Sequence, residues 1–322
     1  MSATADSPYC AEEIKVDDLC FDDGNIIITA EDSRFRVHRS ILSARSSFFA
    51  SLFALPPHRD NPTWEGLPVI ELPDKAFEVA HFLRAIFDSG SFEGPSTNVA
   101  VQPTKARTRQ IAAILRLAHK YDVPYLRRRA LTHAAAIYPR SFEGARYIPG
   151  IPASVHFILA DVATEVGADW LLLVALECCT RMGPQAVANG WPQRKAKLPP
   201  LQLPPSVQER CLLAVRAQDQ QANQRILAMF LAPNLSCSTP AACMLERNAN
   251  ATALLGKSMV FVHHFGREQW SALLTSLCRS CYAQAELADR LWGAKYWEDM
   301  PARFGLPPWS ELDSRRKQDI GS

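Results

Sequence analysis

The sequence predicts a mixed α/β unit, in which a sheet of short strands flanks a cluster of helices, followed by a mostly α-helical region. Three observations predict it. Ile26-Ile27-Ile28 is an unbroken β-branched run, which favours a strand buried on both faces. Apolar residues then return at helical spacing in Ala76–Phe87 and again in Arg109–Tyr121. From Val155 onward, helical runs alternate with proline-rich joints.

The first strand is expected over Asn25–Thr29, with Glu31-Asp32-Ser33 as the turn and Phe35-Arg36-Val37 as a short returning strand. Ile41, Leu42 and Ala44 fit one helical turn. Ser47–Phe53 fits another, with Phe48, Phe49, Leu52 and Phe53 spaced to bury one face. Pro56–Pro68 reads as a proline-bearing loop and Val69–Leu72 as a short strand. A helix opens after Pro73 with Asp74 as its expected N-cap, and glycines at 90 and 94 end it. Ser91–Lys105 reads as an insertion. In the helix that follows, Ile111, Ile114, Leu115, Ala118 and Tyr121 share a face. Val123-Pro124 breaks that helix, and another is expected over Tyr125–Ile137.

The first compact unit is therefore placed at residues 17–138 and the helical region at 139–322. In the latter, Val155–Val166 and Asp169–Met182 read as a helix pair joined at Gly167. Trp191–Pro205 is a proline-rich joint, and Ser206-x-x-Glu209 is a capping-box signature for a helix running towards Phe230. Pro233–Gly256 reads as irregular and Glu268–Trp297 as helical. The tail Phe304–Trp309 is expected to pack back on the body. No internal repeat is visible.

A chain of 322 residues accommodates two domains, and 48% hydrophobic with 21% charged residues suits a chain that buries a core. A net charge of +2 gives no electrostatic reason for a nucleic-acid partner. The first eighteen residues lack the basic and apolar regions of a signal peptide, and the densest apolar run, Leu171–Leu176, falls far short of the ~20 residues a bilayer needs. The expected location is intracellular, cytoplasmic or nuclear, with no membrane partner. The nine cysteines show no repeating framework and read as mostly reduced thiols.

Several blocks together resemble a BTB/POZ domain. A strand ending in Phe35-Arg36-Val37-His38 is followed by a helical hairpin carrying Ser46-Ser47-Phe48-Phe49 to Phe53. The strand, proline and helix of Val69–Phe87 come next, and Ala118-His119-Lys120-Tyr121-Asp122-Val123 lies within a closing helix pair. The opening Asp22-Asp23-Gly24-Asn25 and the Phe304–Trp309 tail are similar to BTB proteins expanded in mushroom-forming fungi. The resemblance implies a compact α/β fold whose structural motif residues are Asp23, Gly24, Phe35, His38, Phe49 and Phe53. It implies a non-enzymatic adaptor or scaffold that binds protein partners, a second BTB chain or a cullin among them. The polar residues before Asp22 are not expected to form the long helix that precedes the domain in transcription-factor members. The family's cullin-associated hydrophobic-x-Glu motif has its nearest counterpart in Thr63-Trp64-Glu65, with threonine in the first position.

Other constellations carry competing readings. His38 at a strand–helix corner can bond backbone groups and set the entry of the next helix. Cys278-x-x-Cys281 with Cys237 and Cys243 makes a four-thiolate zinc set, with His263 and His264 as spare ligands. Alternatively, Trp270, Leu273, Leu274, Leu277, Cys278 and Cys281 form one apolar helical face, and the thiols are core packing or redox groups. Cys178-Cys179 reads as packing. Leu255-Gly256-Lys257-Ser258 ends like a P-loop but has Ala251 where the first glycine is required. Arg127-Arg128-Arg129 fits a solvated helix end, an acidic partner or an import signal. No G-x-S-x-G is present. No catalytic residue and no resident cofactor is expected, zinc excepted. The alternatives to a BTB adaptor are a zinc-containing transcriptional or chromatin regulator, a cullin-type ligase substrate adaptor, and an enzyme with an unfamiliar site. Ile41, Leu42 and Phe49 are candidate contact positions.

Overall fold

The computed structural model describes residues 14–56, 62–88, 90–93, 103–138, 151–193, 198–255 and 272–321. The chain divides into two compact units, the first formed within residues 1–99 and 109–133, the second within 100–108 and 134–322.

The first unit is organised by a five-stranded sheet in the order β1-β3-β2-β5-β4. Its centre is the antiparallel pair β2 (Ile26–Ala30) and β3 (Ser33–Val37), joined through Glu31 in the left-handed region at φ 48°. Ile26, Ile27 and Ile28 are all buried, as the missing alternation predicts. β5 (Leu67–Glu71) lies parallel to β2, and β4 (Thr63–Trp64) closes one edge antiparallel to β5. Part of the expected 56–68 loop is thus a hairpin. Glu65 at φ 48° and Gly66 at φ 76° form the two-residue turn that the twist of paired strands favours. Residues 57–61 lie outside the described residues. The other edge is β1 (Ile14–Cys20), parallel to β3, which the polar Asp17-Asp18 pair hides in the sequence. The Arg84 guanidinium ties it to the next helix by a bidentate pair with Asp18.

Helices α1 (Arg39–Arg45) and α2 (Ser47–Ala54) follow the central hairpin, and α3 (Ala76–Phe87) follows β5. Asp74 is not the N-cap of α3, since Lys75 takes that position. The Ala76 N–H is instead accepted by Glu31 Oε2 at 2.8 Å, reaching from the β2–β3 turn. Asp74 is drawn away by Lys120 Nζ at 2.7 Å and by the Tyr121 hydroxyl. α3 ends at Asp88, ahead of both expected glycines. α4 (Lys105–Lys120) and α5 (Pro124–Ala135) complete the cluster. The five residues assigned to the inner face of α4 are all buried. So are Ala112, Ala113 and Leu117, which makes α4 a nearly enclosed helix rather than a half-exposed one.

The second unit is helical. α6 (Ala153–Glu165) and α7 (Asp169–Thr180) form the expected pair, with Gly167 at φ 68° between them. α7 is buried on every side from Trp170 to Thr180, so its apolar run is an interior helix. α8 (Pro184–Asn189) leads to Gly190, whose φ of 80° and close approach to the Leu201 carbonyl leave no room for a side chain. There Trp191 and Leu201 exchange both backbone hydrogen bonds at 2.8 Å, so the 191–205 joint is pinned at its middle.

α9 (Pro205–Phe230) starts from Pro204, and Ser206 does not cap it. The N-cap position falls on Pro204, whose side chain offers no acceptor, and Pro205 suits the first helical position, so Ser206 lies inside the helix, past the point where it could cap. The segment read as irregular contains α10 (Pro240–Leu255). The expected 268–297 helix is broken, and only α11 (Arg279–Glu298) is continuous; residues 268–271 lie outside the described residues. α12 (Met300–Arg303) and α13 (Trp309–Ile320) follow. The tail packs as expected. Phe304 is fully buried, and the Trp309 ring stacks on Trp297 at 5.0 Å while donating to its carbonyl at 2.7 Å. Among the described residues, no helix is long and apolar enough to cross a membrane.

Within this unit the buried His156 ring shares a 3.0 Å hydrogen bond with the Tyr138 hydroxyl. Burial, and then the Arg181 charge, brings its imidazole down to about 4. The unfolded chain would take up that proton near pH 6.5 while the folded chain refuses it, so stability is complete above about pH 6.5 and drains as pH falls towards about 4. The expected loss is of the order of 3 kcal/mol. Urea titrations between pH 7 and pH 4 should show this slope, and His156→Gln should flatten it.

Candidate interaction surface and cysteine cluster

The residues around the β2–β3 hairpin divide into those that build the corner and those that face outward. Gly24 is demanded by close approach, since a Cβ there would sit 2.8 Å from Arg36 Cγ and 3.0 Å from the Arg36 carbonyl. Arg36 Nε closes the corner by donating to the Gly24 carbonyl at 2.9 Å. Phe35 is fully buried. His38 occupies the N-cap position of α1, but its side chain caps nothing. Its ring packs on Phe21 at 5.2 Å and reaches the exposed Asp23 carboxylate at 3.4 Å. The backbone bond expected of His38 is made by Asn25, whose Oδ1 accepts the Arg39 N–H at 2.8 Å. Asn25 thus supplies from a distant position the acceptor that a cap residue would otherwise offer.

Ser46 joins the two halves of the cluster. It caps α2 by accepting the Phe49 N–H at 3.0 Å and donates at 2.6 Å to the carbonyl of Tyr121. The Tyr121 ring stacks on the fully buried Phe49 at 5.3 Å, and Phe53 also stacks on Phe49, at 5.9 Å. Burial first, and then the Asp74 carboxylate, pushes the Tyr121 hydroxyl upward, so it remains a donor. After Tyr121 the helix ends on Asp122 at φ 47°, with the Val123 N–H bonding back to Ala118 at 2.8 Å. That six-to-one closure is the physical content of the Ala118–Val123 block.

Of the four apolar residues expected to bury one face of α2, only Phe49 is interior, while Phe48 is 41% exposed. Leu42 and Phe49 belong to the core and are unavailable for contact. Ile41, Phe48 and Leu55 instead present apolar surface from α1, α2 and its end. Trp64 lies under the Arg34 guanidinium at 3.8 Å, and Glu65 serves the hairpin turn. The nearest counterpart of a hydrophobic-x-Glu motif is therefore a strand edge and its turn.

The first unit thus combines a small mixed sheet built around one hairpin with the helices α1–α5. Residues 21–135 match the BTB/POZ domain family, and the first unit is a BTB/POZ domain followed by a mostly helical region. Domains of this family mediate protein–protein interaction. No curated protein and no solved structure matches the chain.

In the second unit Cys237, Cys243, Cys278 and Cys281 converge, with their Sγ atoms all within 4.8 Å of one another, an arrangement able to hold a metal ion. Cys237 lies in the turn before α10 and Cys243 in its first turn. Cys278 is the N-cap position of α11 and Cys281 lies in its first turn. The helical face proposed from the sequence fails because the chain turns at 275–277, which puts Cys278 outside the helix. Cys243 and Cys281 are buried in the core between α9, α10 and α11, and Cys237 and Cys278 lie at its margin. The backbone N–H of Cys281, and then that of Ser238, bring the Cys278 thiol down to about 5. Burial raises Cys281 to about 12. Trp270, His263 and His264 lie outside the described residues.

Cys178 and Cys179 are interior packing thiols of α7, both raised by burial. Ala251 lies inside α10, so a helix, not a strand, leads to the P-loop-like residues, and 256–258 lie outside the described residues. Arg128 is exposed on α5, while Arg129 donates to the Phe92 carbonyl at 3.0 Å. A cavity of 330 Å³ in the second unit is walled by Tyr138, Trp170, Trp297 and Trp309. Among the described residues its lining contains no serine, cysteine or histidine.

Proposed function

We propose that the protein is a non-enzymatic adaptor: residues 17–138 bind a protein partner, and residues 139–322 form a helical body that carries or stiffens that module. The observation that carries this reading is the BTB/POZ match over residues 21–135, together with apolar side chains on α1 and α2 that the core does not use. Ile41 and Phe48 are the partner-facing positions. Their neighbours Leu42 and Phe49 hold the helices from inside, so surface and core can be altered separately. A second BTB chain is the partner best supported, because an apolar helix face on a compact module suits a self-complementary contact.

Light scattering after size exclusion, with affinity capture from the native host, tests the proposal. A dimer, or a specific bound partner, is expected for the full chain. Ile41→Glu with Phe48→Glu should abolish that association while the thermal midpoint stays close to that of the parent. A strict monomer that captures no partner overturns the reading.

A further inference from the structure

The four-cysteine cluster lies outside the interaction module and is not used by it. We propose that Cys237, Cys243, Cys278 and Cys281 bind one zinc ion as a closed tetrathiolate site that fixes the starts of α10 and α11. Zinc–thiolate bonds of about 2.3 Å arranged tetrahedrally place neighbouring sulfurs about 3.8 Å apart. Cys237 Sγ and Cys278 Sγ lie 3.7 Å apart, and all four sulfurs fall within 4.8 Å. Four soft sulfur donors at this separation suit zinc, whereas hard cations require oxygen.

Polar groups lie against two of the sulfurs, those of Cys243 and Cys281. Cys243 Sγ accepts the Cys278 N–H at 3.2 Å, so one half-site bonds directly to the other. Thr239 Oγ1 lies 3.1 Å from the same sulfur, and Asn234 Nδ2 donates to Cys281 Sγ at 3.4 Å. Asn234 is itself held by Ser280, at 3.2 Å from Nδ2 to Oγ. Such outer hydrogen bonds orient metal-bound sulfur and offset its charge. Each sulfur pair also flanks a helix N-terminus, where the backbone dipole favours negative charge. Packing alone gives no reason for two segments to bring four thiols to one point. With four protein ligands no coordination position remains for water or substrate, so the ion is structural.

The test uses the full chain, purified without chelator from zinc-supplemented cells. Elemental analysis should find stoichiometric zinc. Cobalt(II) added to stripped protein should give thiolate-to-metal charge transfer and tetrahedral d–d absorption that saturate at one equivalent. Cys278→Ser with Cys281→Ser should lose the metal, and Cys211→Ala, in a separate part of the core, should keep it. Should the paired variant fail to fold, the cobalt titration of the parent chain decides. Absence of the charge-transfer band, iron in place of zinc, or a disulfide within the cluster in metal-free native protein overturns the proposal. Metal content is read independently of partner binding, so the two proposals fail separately.

Discussion

Glu177→Ala is expected to destabilise the protein by about 3–5 kcal/mol, the cost of removing one partner from a buried charged pair. Glu177 is 2% exposed and gathers donors from three helices. Arg181 approaches Oε1 from the same helix at 3.2 Å, Gln218 of α9 donates to Oε2 at 2.8 Å, and Tyr296 of α11 donates its hydroxyl to Oε1 at 2.6 Å. Burial, and then the Glu177 carboxylate, raises the Tyr296 hydroxyl well above its ordinary range, which keeps it a donor. Loss of the carboxylate strands the Arg181 charge and leaves two further donors unmatched in the interior. Glu177→Gln keeps the shape and one acceptor oxygen, and should cost less than Glu177→Ala. Urea unfolding of the three chains checks the order. A loss under about 1 kcal/mol for Glu177→Ala would place this carboxylate in a solvated setting.

The parts of the fold legible in the sequence are those where one local signal acts alone. The Ile26–Ile28 run, the apolar stretch of α7 and the Gly167 joint each turned out as their residues predict. The errors arise where a residue's role is set by a distant group. Asp74 has the chemistry of an N-cap, but the cation of Lys120 and the hydroxyl of Tyr121 compete for it, and Glu31 supplies the acceptor instead. His38 stands at the corner, yet Asn25, fourteen residues before the Arg39 N–H it accepts, makes the bond. Such pairings depend on register, which sequence spacing does not encode.

Helix α10 was hidden for a different reason. Pro240 reads as a breaker, although at the first helical position proline costs nothing. The alanine-rich stretch after it has high helix propensity with little apolar periodicity. The hidden helix start also accounts for the spacing of Cys237 and Cys243. Once Cys243 lies in the first turn of a helix and Cys237 in the turn before it, the spacing brings both sulfurs to that helix's start. Cys278 and Cys281 repeat the arrangement at α11. The cluster is a consequence of two helix starts meeting, and neither start was visible from hydrophobic pattern alone.

Phe49→Ala is expected to cost about 3–5 kcal/mol, the range for emptying a buried aromatic site. Phe49 is fully buried, and its ring meets Phe48, Phe53 and Tyr121 at 5.4, 5.9 and 5.3 Å. The vacated space cannot close readily, because Ser46 fixes the start of α2 and the Tyr121 carbonyl together. Phe48 is the adjacent residue with the opposite fate. It rests on Tyr121 at 5.0 Å and on Phe49 at 5.4 Å yet stays 41% exposed, so Phe48→Ala should cost less, roughly 1 kcal/mol. Paired thermal unfolding and partner-binding measurements on the two variants separate scaffold from surface. Phe49→Ala should lower the unfolding midpoint strongly, and should reduce partner binding only as far as it unfolds the domain. Phe48→Ala should reduce partner binding in protein that remains folded. Equal unfolding penalties would mean that Phe48 is a core residue, and the docking face would then have to be sought elsewhere on the first unit.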